Sequence, residues 1–309
     1  MNISVPIGIG LPQVFPQGRT SDLADISTFA KKADHLGFES LWALEQIADQ
    51  GSMLEPISLL SYVSAVTKQI RLGTSVFVLP QRNPIQLAKS LSTLDLLNNG
   101  RTIAGIGIGN ENDLNSAFGL PPGKRVRRFN ENLAVMRALW ADGNASFDGD
   151  FYKFKNLRMS PKPQQRPTIP VWFGARSEPA LKRAAKLADG WMGAGSSSII
   201  EFKEHIGILK RALEDSDRDL RKFTFSKRIY LAIDTNLDRA ENRMKKFFQH
   251  TYGNPDMANH VAIWGSQESV FERISEIIDL GATHVLAHFV FDFDEHLEAL
   301  APLVKKQTD

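Results

Sequence analysis

Small and polar residues follow or interrupt five apolar runs of the 309-residue chain, and these positions offer the most chemistry. A carboxylate and an amide follow the run 39–44, and a glycine followed by an amide ends the run 102–109. Backbone and amide groups of this kind orient a ligand through hydrogen bonds, and a carboxylate adds the capacity to move a proton. The candidate residues are Glu45, Gln46, Ser75, Val76, Gly109, Asn110, Gly174, Ala175, Arg176, Ser177 and Gly193.

The segment 174–177 is a candidate anion site. Gly174 ends an apolar run, Ser177 is placed to cap the helix that follows, and Pro179 falls in the first turn of that helix. The first backbone N–H groups of a helix bind anions, and the fork of Arg176 suits a phosphate. The sequence therefore predicts a phosphate site here, and the alternative is a capped helix beside a solvated arginine.

Three glycines at positions 105, 107 and 109 resemble part of a dinucleotide fingerprint. The later glycine of that fingerprint is missing and no helix follows directly. We interpret the three as part of a strand that a ligand or a neighbouring backbone approaches closely.

Other catalytic classes find less support. The chain has no cysteine, which excludes disulfides, thiolate catalysis and iron–sulfur clusters. His284 and His288 are four residues apart on a predicted strand, without a carboxylate at matching spacing, so no metal site is predicted. A hydrolytic pair of Glu45 and Glu111 remains an alternative, because their separation cannot be obtained from the sequence.

Charge and composition indicate the class of protein and of partner. The 37 basic and 35 acidic residues leave a net charge of +2, which argues against nucleic acid as a partner. With 42% hydrophobic and 23% charged residues, the chain is typical of soluble globular proteins. The apolar N-terminal stretch is too short to span a membrane and lacks a cleavage site. We expect a cytoplasmic protein that acts on a small molecule.

Apolar runs and helical periodicity alternate along the chain, and they indicate which elements position the candidate residues. Parallel strands joined by helices close into a barrel when about eight units are present, which predicts an α/β fold, a (β/α)8 TIM barrel over one domain, residues 1–309. An open doubly wound sheet is the alternative. We also predict an insertion after the fourth strand and a hairpin at 147–157. The predicted strands cover residues 3–11, 39–44, 70–79, 102–109, 171–174, 190–193, 223–233 and 284–291.

Several motifs in this order resemble those of the luciferase-like monooxygenases and their deazaflavin-dependent relatives. They are Gly-Phe-Glu-Ser-Leu-Trp at 37–42 ahead of Glu45 and Gln46, Leu-Gly-Thr-Ser-Val at 72–76, Leu-Pro-Gln-Arg-Asn-Pro at 79–84 and Ala-Asp-Gly-Trp at 188–191. The resemblance extends over residues 5–290, and it is specific to the superfamily more than to one cofactor or substrate.

The resemblance implies a cofactor and its contacts. FMN is favoured, with the deazaflavin coenzyme F-420 as the alternative, bound at the carboxyl ends of the barrel strands. It implies a non-proline cis peptide or a bulge at Ser75–Val76 against the ring, with Gly109 and Asn110 beside the ring. Residues 174–177 and the loop from Gly193 would hold the phosphate. Family members are commonly dimeric, and the apolar helices predicted at 56–67 and 84–97 are the expected interface. A separate flavin reductase is a further possible partner.

Three positions differ from the pattern of relatives. Gln46 stands where many have a histidine, and glutamine orients a substrate but does not titrate. Ile108 stands where luciferases place a phosphate-binding arginine, and Asn110 replaces an acidic residue of the deazaflavin sugar-phosphate dehydrogenases. The sequence predicts a flavin-dependent oxidoreductase or monooxygenase that uses Glu45 and Gln46 for hydride transfer or oxygen insertion. The alternatives are a coenzyme F-420-dependent oxidoreductase and a non-catalytic flavin-binding protein.

Overall fold

The computed structural model describes residues 5–15, 23–48, 52–110 and 113–304. The chain divides into two compact units. The terminal unit comprises Met1–Pro12, Ser21–Trp42 and Ala175–Asp309, and the middle unit comprises Gln13–Thr20 and Ala43–Gly174. The prediction of one domain over 1–309 stays a prediction. The sequence predicts that Ser21 or Asp22 caps the helix that runs through Ala33, and both residues lie outside the described residues, as does Glu111.

In the described residues, each of eight parallel strands pairs with the next strand along the sequence. The eighth strand pairs with the first, so the order is closed. This is the strand order of a TIM barrel, so the predicted (β/α)8 fold is confirmed. The strands are β1 Ile7–Gly10, β2 Ser40–Ala43, β3 Arg71–Thr74, β4 Thr102–Gly107, β5 Val171–Gly174, β6 Gly190–Gly193, β7 Thr224–Ile233 and β8 His284–His288.

Helices of at least eight residues connect these strands or follow the last one. Proline lies in the first turn of three of them, at positions 56, 84 and 179, because its missing N–H is not needed there. The side chains of Glu55 and Asn83 cap the first two of these helices at their N-termini. The longer helices are α1 Leu23–Leu36, α2 Pro56–Val66, α3 Pro84–Leu97, α4 Arg125–Trp140, α5 Glu178–Leu187, α6 Ile199–Glu214, α7 Leu237–Tyr252, α8 Gln267–Asp279 and α9 Phe293–Leu300.

The predicted hairpin is present between α4 and β5, as strands Ala145–Asp148 and Lys153–Leu157. Its turn is attached to α4 through the carboxylate of Glu131. That carboxylate accepts the backbone N–H groups of Asp150, Phe151 and Tyr152 at 3.0, 2.7 and 2.8 Å. The insertion after β4 also contains the short helix Asp113–Ala117.

Two predicted strands end three or more residues earlier than predicted, and a strand that pairs with β7 was not predicted. The predicted strand 70–79 breaks after Thr74 and resumes as the pair Phe77–Val78. The predicted strand 284–291 ends at His288. The additional strand Ala262–Gly265 pairs with the second half of β7. Its four residues lie between the short helix Met257–Val261 and α8, so no alternating pattern was long enough to indicate a strand.

Within the described residues, no helix has both the length and the apolar character needed to cross a membrane. The two helices expected at a dimer interface carry apolar side chains in contact with solvent. Tyr62 on α2 is 38% exposed, and Leu97 at the end of α3 is 63% exposed. The homodimer itself stays a prediction.

Candidate functional site

The segment after β3 changes direction at Ser75 and Val76, the pair singled out in the sequence. The Ser75–Val76 peptide bond is cis, as the resemblance implied. The N–H of Ser75 donates to the carbonyl of Ala43 at 2.8 Å, and the N–H of Val78 donates to the carboxylate of Glu45 at 2.5 Å. The segment 74–78 is therefore tied to the end of β2 at two points.

A stripe of glycines on β4 receives this segment. A Cβ on Gly105 would lie 1.7 Å from the carbonyl oxygen of Thr74, and one on Gly107 would lie 2.8 Å from Cγ2 of Val76. A Cβ on Gly174, at the end of β5, would lie 3.2 Å from the same Cγ2. The glycines at 105 and 107 thus accommodate the adjacent segment. This supports the interpretation of the motif as a strand that a neighbouring backbone approaches, rather than as a dinucleotide fingerprint. Val76 lies between Gly107 and Gly174.

Glu45 holds the segment in place. Its side chain is 1% exposed, and its carboxylate accepts hydrogen bonds from Nε of Arg82 at 2.7 Å, from Nη2 of Arg82 and from the N–H of Val78. Burial raises the pKa of Glu45, and the charge of Arg82 acts against that rise. Because its oxygens are occupied, Glu45 positions the segment 74–78, and its catalytic role stays a prediction.

Gln46 differs from its neighbour. It is half-buried, and its side chain makes no hydrogen bond to the described residues. An amide in this position has donors and an acceptor available for a ligand.

Gln13 follows the first strand, at the kind of position where active groups are expected, but its role was not predicted. Its side chain is fully buried and donates to the carbonyls of Leu44 at 2.8 Å and Leu54 at 3.0 Å. It also accepts the N–H of Leu44 at 2.6 Å, so it fixes the start of the loop that carries Glu45 and Gln46. The sequence feature that could have indicated this role is the position of the glutamine shortly after an apolar run.

Gly109 and Asn110 follow β4 in the middle unit. Gly109 has a φ of +68°, which favours glycine, and its carbonyl accepts from Arg125 at 2.8 Å. The carbonyl of Asn110 accepts from the amide of Asn115 at 3.1 Å, and the Asn110 side chain is exposed. The backbone at this position is fixed, whereas the Asn110 amide faces solvent.

The predicted anion segment belongs to the terminal unit from Ala175 onwards. The carbonyl of Ala175 accepts from the indole N–H of Trp191 at 2.8 Å. Ser177 is the N-cap of α5 as predicted, but its side chain makes no capping hydrogen bond. The first N–H groups of α5 therefore lack a side-chain acceptor from Ser177.

Arg176 is not a solitary charge. Its Nη2 lies 3.3 Å from Oε1 of Glu201, and its Nη1 lies 3.5 Å from the hydroxyl of Ser196. Arg176 and Glu201 are both more than two-fifths exposed, so solvent screens this pair. An anion would share Arg176 with a carboxylate, which reduces the contribution expected from the sequence.

The loop after Gly193 rests on a buried lysine that the sequence analysis missed. Lys227 is 1% exposed, and its ammonium donates to the carbonyl of Ala194 at 2.8 Å and to the carbonyl and hydroxyl of Ser197 at 2.6 and 3.0 Å. Burial lowers the pKa of Lys227 to about 7. The sequence feature that could have indicated this lysine is a Lys-Arg pair within the otherwise apolar predicted strand 223–233.

Three tryptophans on barrel strands belong to the core. Trp42, Trp172 and Trp191 are at most 3% exposed. The indole of Trp42 donates to the hydroxyl of Ser40 at 2.7 Å, and Trp191 stacks on Phe202 with 5.4 Å between ring centroids. The fold uses these rings to fill its interior.

The two histidines of β8 have separate surroundings. His284 shares hydrogen bonds with the hydroxyls of Ser40 at 3.2 Å and Ser226 at 2.7 Å. His288 packs edge-on against Tyr230, with 5.3 Å between the ring centroids. Across the described ranges, no group of three or more histidine or acidic residues is arranged to hold a metal ion.

Comparison with known proteins gives a family and a set of relatives. The family described as luciferase-like monooxygenase matches residues 5–284. An uncharacterised protein of Mycobacterium tuberculosis is 45% identical over 167 residues, which is 54% of this chain and 58% of that protein. The chain thus spans less than two thirds of that relative. A coenzyme F-420-dependent glucose-6-phosphate dehydrogenase of Amycolatopsis mediterranei is 23% identical over 85% of this chain and 88% of its own.

Solved structures share the fold. An F-420-dependent secondary alcohol dehydrogenase, in complex with an F-420-acetone adduct, superimposes with a TM-score of 0.83 at 18% identity over 99% of this chain and 100% of that chain. The oxygenating constituent of a diketocamphane monooxygenase from Pseudomonas putida, in complex with FMN, gives a TM-score of 0.79 at 15% identity over 97% and 98%.

Proposed function

Because the chain belongs to the luciferase-like monooxygenase family, we propose that it is an oxidoreductase that transfers a hydride between a flavin-type cofactor and a small organic substrate. The observation that carries this proposal is the segment 74–78, held by Glu45 and seated on glycines at the carboxyl ends of β4 and β5. The carboxyl ends of TIM-barrel strands are where such enzymes place their catalytic groups.

The residues of the middle unit fit the ring of such a cofactor. Val76 offers an apolar side chain in a fixed position, which suits the face of a flat ring. The amides of Gln46 and Asn110 are free to form hydrogen bonds with the polar edge of the ring or with the substrate.

The residues of the terminal unit fit a phosphate. The N-terminal N–H groups of α5, the hydroxyl of Ser177 and the guanidinium of Arg176 are anion-binding groups. Lys227 holds the loop that starts at Gly193 through hydrogen bonds to Ala194 and Ser197. Each of these contacts is assigned within its own unit and is tested separately.

The relatives favour coenzyme F-420 as the cofactor, whereas the sequence analysis favoured FMN. The dehydrogenase of Amycolatopsis mediterranei aligns over 85% of this chain and uses F-420. FMN remains the second candidate, because the diketocamphane monooxygenase shares the fold and binds FMN. Either cofactor, when bound, supplies the group that gains or loses the hydride.

We assign Gln46 and Glu45 to orienting and positioning rather than to proton transfer. Glutamine does not titrate, so Gln46 orients the substrate by hydrogen bonds. The carboxylate of Glu45 is occupied by Arg82 and Val78, so we assign it to positioning. The substrate or water then carries the proton that accompanies the hydride.

Titration with FMN, coenzyme F-420 and riboflavin, followed by absorption and fluorescence, tests the proposal. We expect saturable binding of F-420, or of FMN as the second candidate, with a Kd of about 1–100 µM. The variant Gly107→Ala should weaken that binding at least about 10-fold, since its Cβ would lie 2.8 Å from Val76 and displace it.

Gly207→Ala is the matched control, because its Cβ would lie 3.7 Å from its nearest neighbour, which is ordinary contact. Cofactor turnover with candidate alcohols and ketones then separates an enzyme from a binding protein. Absence of binding by both cofactors at 100 µM, with the wild-type protein folded, would falsify the proposed function.

A further inference from the structure

An arginine in the middle of β7 contacts a tyrosine that lies level with the carboxyl end of β8. Arg228 and Tyr230 are two residues apart on β7, so their side chains lie on the same face of the sheet. Tyr230 pairs in register with His288, the last residue of β8. A Cβ on Gly10, the last residue of β1, would lie 2.4 Å from Nδ1 of His288. We call Arg228, Tyr230, Tyr252 and His288 the Arg228 cluster.

The guanidinium of Arg228 is held in one orientation. Its Nη2 donates to the hydroxyl of Tyr230 at 2.8 Å, and its Cζ lies 4.9 Å from the centroid of the Tyr230 ring. The hydroxyls of Tyr230 and Tyr252 are hydrogen-bonded at 2.5 Å. A Cβ on Gly195 would lie 2.8 Å from the Tyr230 ring and 3.4 Å from Nε of Arg228, so the backbone covers this pair closely.

The charge of Arg228 has no carboxylate partner within the described residues. Arg228 is half-buried, and its Nε is enclosed without a hydrogen-bond partner. Arg82, which is also half-buried, is paired with both Glu45 and Glu55. Enclosed charges are ordinarily paired, because removing an ion from water costs free energy that a counter-ion offsets.

Neighbouring groups respond to the same positive charge. Burial first, and then the charge of Arg228, lower the pKa of His288. Burial also lowers the pKa of Lys227, and the charges of Arg176 and Arg228 lower it further. The part of these shifts that comes from Arg228 reflects a positive charge that no carboxylate of the described residues offsets, and such a charge attracts an anion.

We propose that the Arg228 cluster binds the anionic group, a carboxylate or a phosphate, of the substrate. The word substrate rests on the proposed function, whereas the binding of an anion does not. A guanidinium fork pairs with two oxygens of such a group. The Tyr230 hydroxyl accepts from Arg228 and is hydrogen-bonded to the Tyr252 hydroxyl, which is a second polar group for the ligand.

Calorimetric titration with inorganic phosphate and with acetate, at ionic strength fixed by chloride, measures this site directly. The wild-type protein should bind one of the two with a Kd of about 1 mM. Arg228→Met should weaken that binding at least about 10-fold, and Arg228→Lys should weaken it less, because the charge remains while the fork is lost. Arg239→Met is the control, because Arg239 is exposed and paired with Asp234.

Two comparisons separate this site from the cofactor phosphate. Arg176→Ala should leave the Arg228-dependent binding in place, and Arg228→Met should leave the affinity for FMN and F-420 unchanged. If Arg228→Met lowers cofactor affinity as much as phosphate affinity, the anion belongs to the cofactor and the substrate assignment is overturned. Absence of saturable phosphate and acetate binding in the wild-type protein overturns the whole proposal.

Tyr252→Phe keeps the proposal testable if the arginine variants do not fold. Tyr252 is 40% exposed, so the loss of its hydroxyl should not affect folding. We expect anion affinity to fall about 3-fold or more, as for the loss of one hydrogen bond to a charged group. An unchanged affinity would contradict the proposed contact. If neither cofactor binds while phosphate binding still depends on Arg228, the proposed function fails and the anion site remains.

Discussion

Replacing Glu45 by glutamine tests whether this carboxylate holds the segment 74–78. Glu45 accepts from the N–H of Val78 and from two nitrogens of Arg82, and its side chain is 1% exposed. Removing one partner of a buried ion pair costs about 3–5 kcal/mol. Burial raises the pKa of Glu45 despite Arg82, so neutralising the group recovers part of that free energy. We therefore expect a net loss of about 2 kcal/mol in the free energy of unfolding.

Glu55→Gln is the matched control for this prediction. Its carboxylate lies 3.0 Å from the same nitrogen of Arg82, but the side chain is 42% exposed. Exposed pairs contribute at most about 1 kcal/mol, so this variant should lose well under half as much stability. Urea denaturation of Glu45→Gln, Glu55→Gln, Arg82→Met and the double variant Glu45→Gln with Arg82→Met gives the two losses and the coupling free energy between Glu45 and Arg82. Equal losses for Glu45→Gln and Glu55→Gln would refute the assignment of Glu45 to positioning.

Further predictions follow from glycines and from buried or paired bases. Gly105→Ala should lower the free energy of unfolding by about 3 kcal/mol, because its Cβ would lie 1.7 Å from a backbone oxygen, whereas Gly207→Ala should not lower it; urea midpoints compare them. Arg176→Ala should weaken FMN binding by about 1 kcal/mol and leave riboflavin binding unchanged in calorimetry, and equal losses would remove the phosphate contact. Since the folded protein keeps His288 neutral while the unfolded chain takes up a proton below about pH 6.5, stability should fall as the pH drops from 7 to 5, and His288→Asn should reduce that slope in urea midpoints. The pKa of Lys227 is about 7 in the folded protein and 10.5 in the reference state, so stability should rise between these pH values, and an equal rise in Lys227→Met would contradict this assignment.

The strands and their order were predictable because each barrel strand is a short apolar run followed by a helix. β5, β6 and α3 have the predicted bounds, since glycine or proline marks one end of each. The glycine at 105 could be placed on a strand, but its neighbour could not be identified. Contact with the backbone of Thr74 depends on the register of β3 and β4, which the sequence does not state.

The sequence predicted where the site residues lie better than it predicted what each of them does. Ser177 is the expected helix cap, and the resemblance located the peptide bond after Ser75. Glu45 was expected as an acid or base because a carboxylate at a strand end suits that role. Its partners Arg82 and Val78 lie more than thirty residues away, so their pairing required the fold. Lys227 escaped for the same reason, because its acceptors belong to another loop.

The close fit between β4 and the segment after β3 limits how this protein can be altered by mutagenesis. A methyl group at Gly105 would collide with a carbonyl, and one at Gly107 would push against Val76, so neither position tolerates variation. A mutant library that aims at new substrates should therefore leave these codons unchanged. Gln46 and Asn110 have side chains without such constraints, and diversity placed there alters what the protein recognises while the scaffold stays the same.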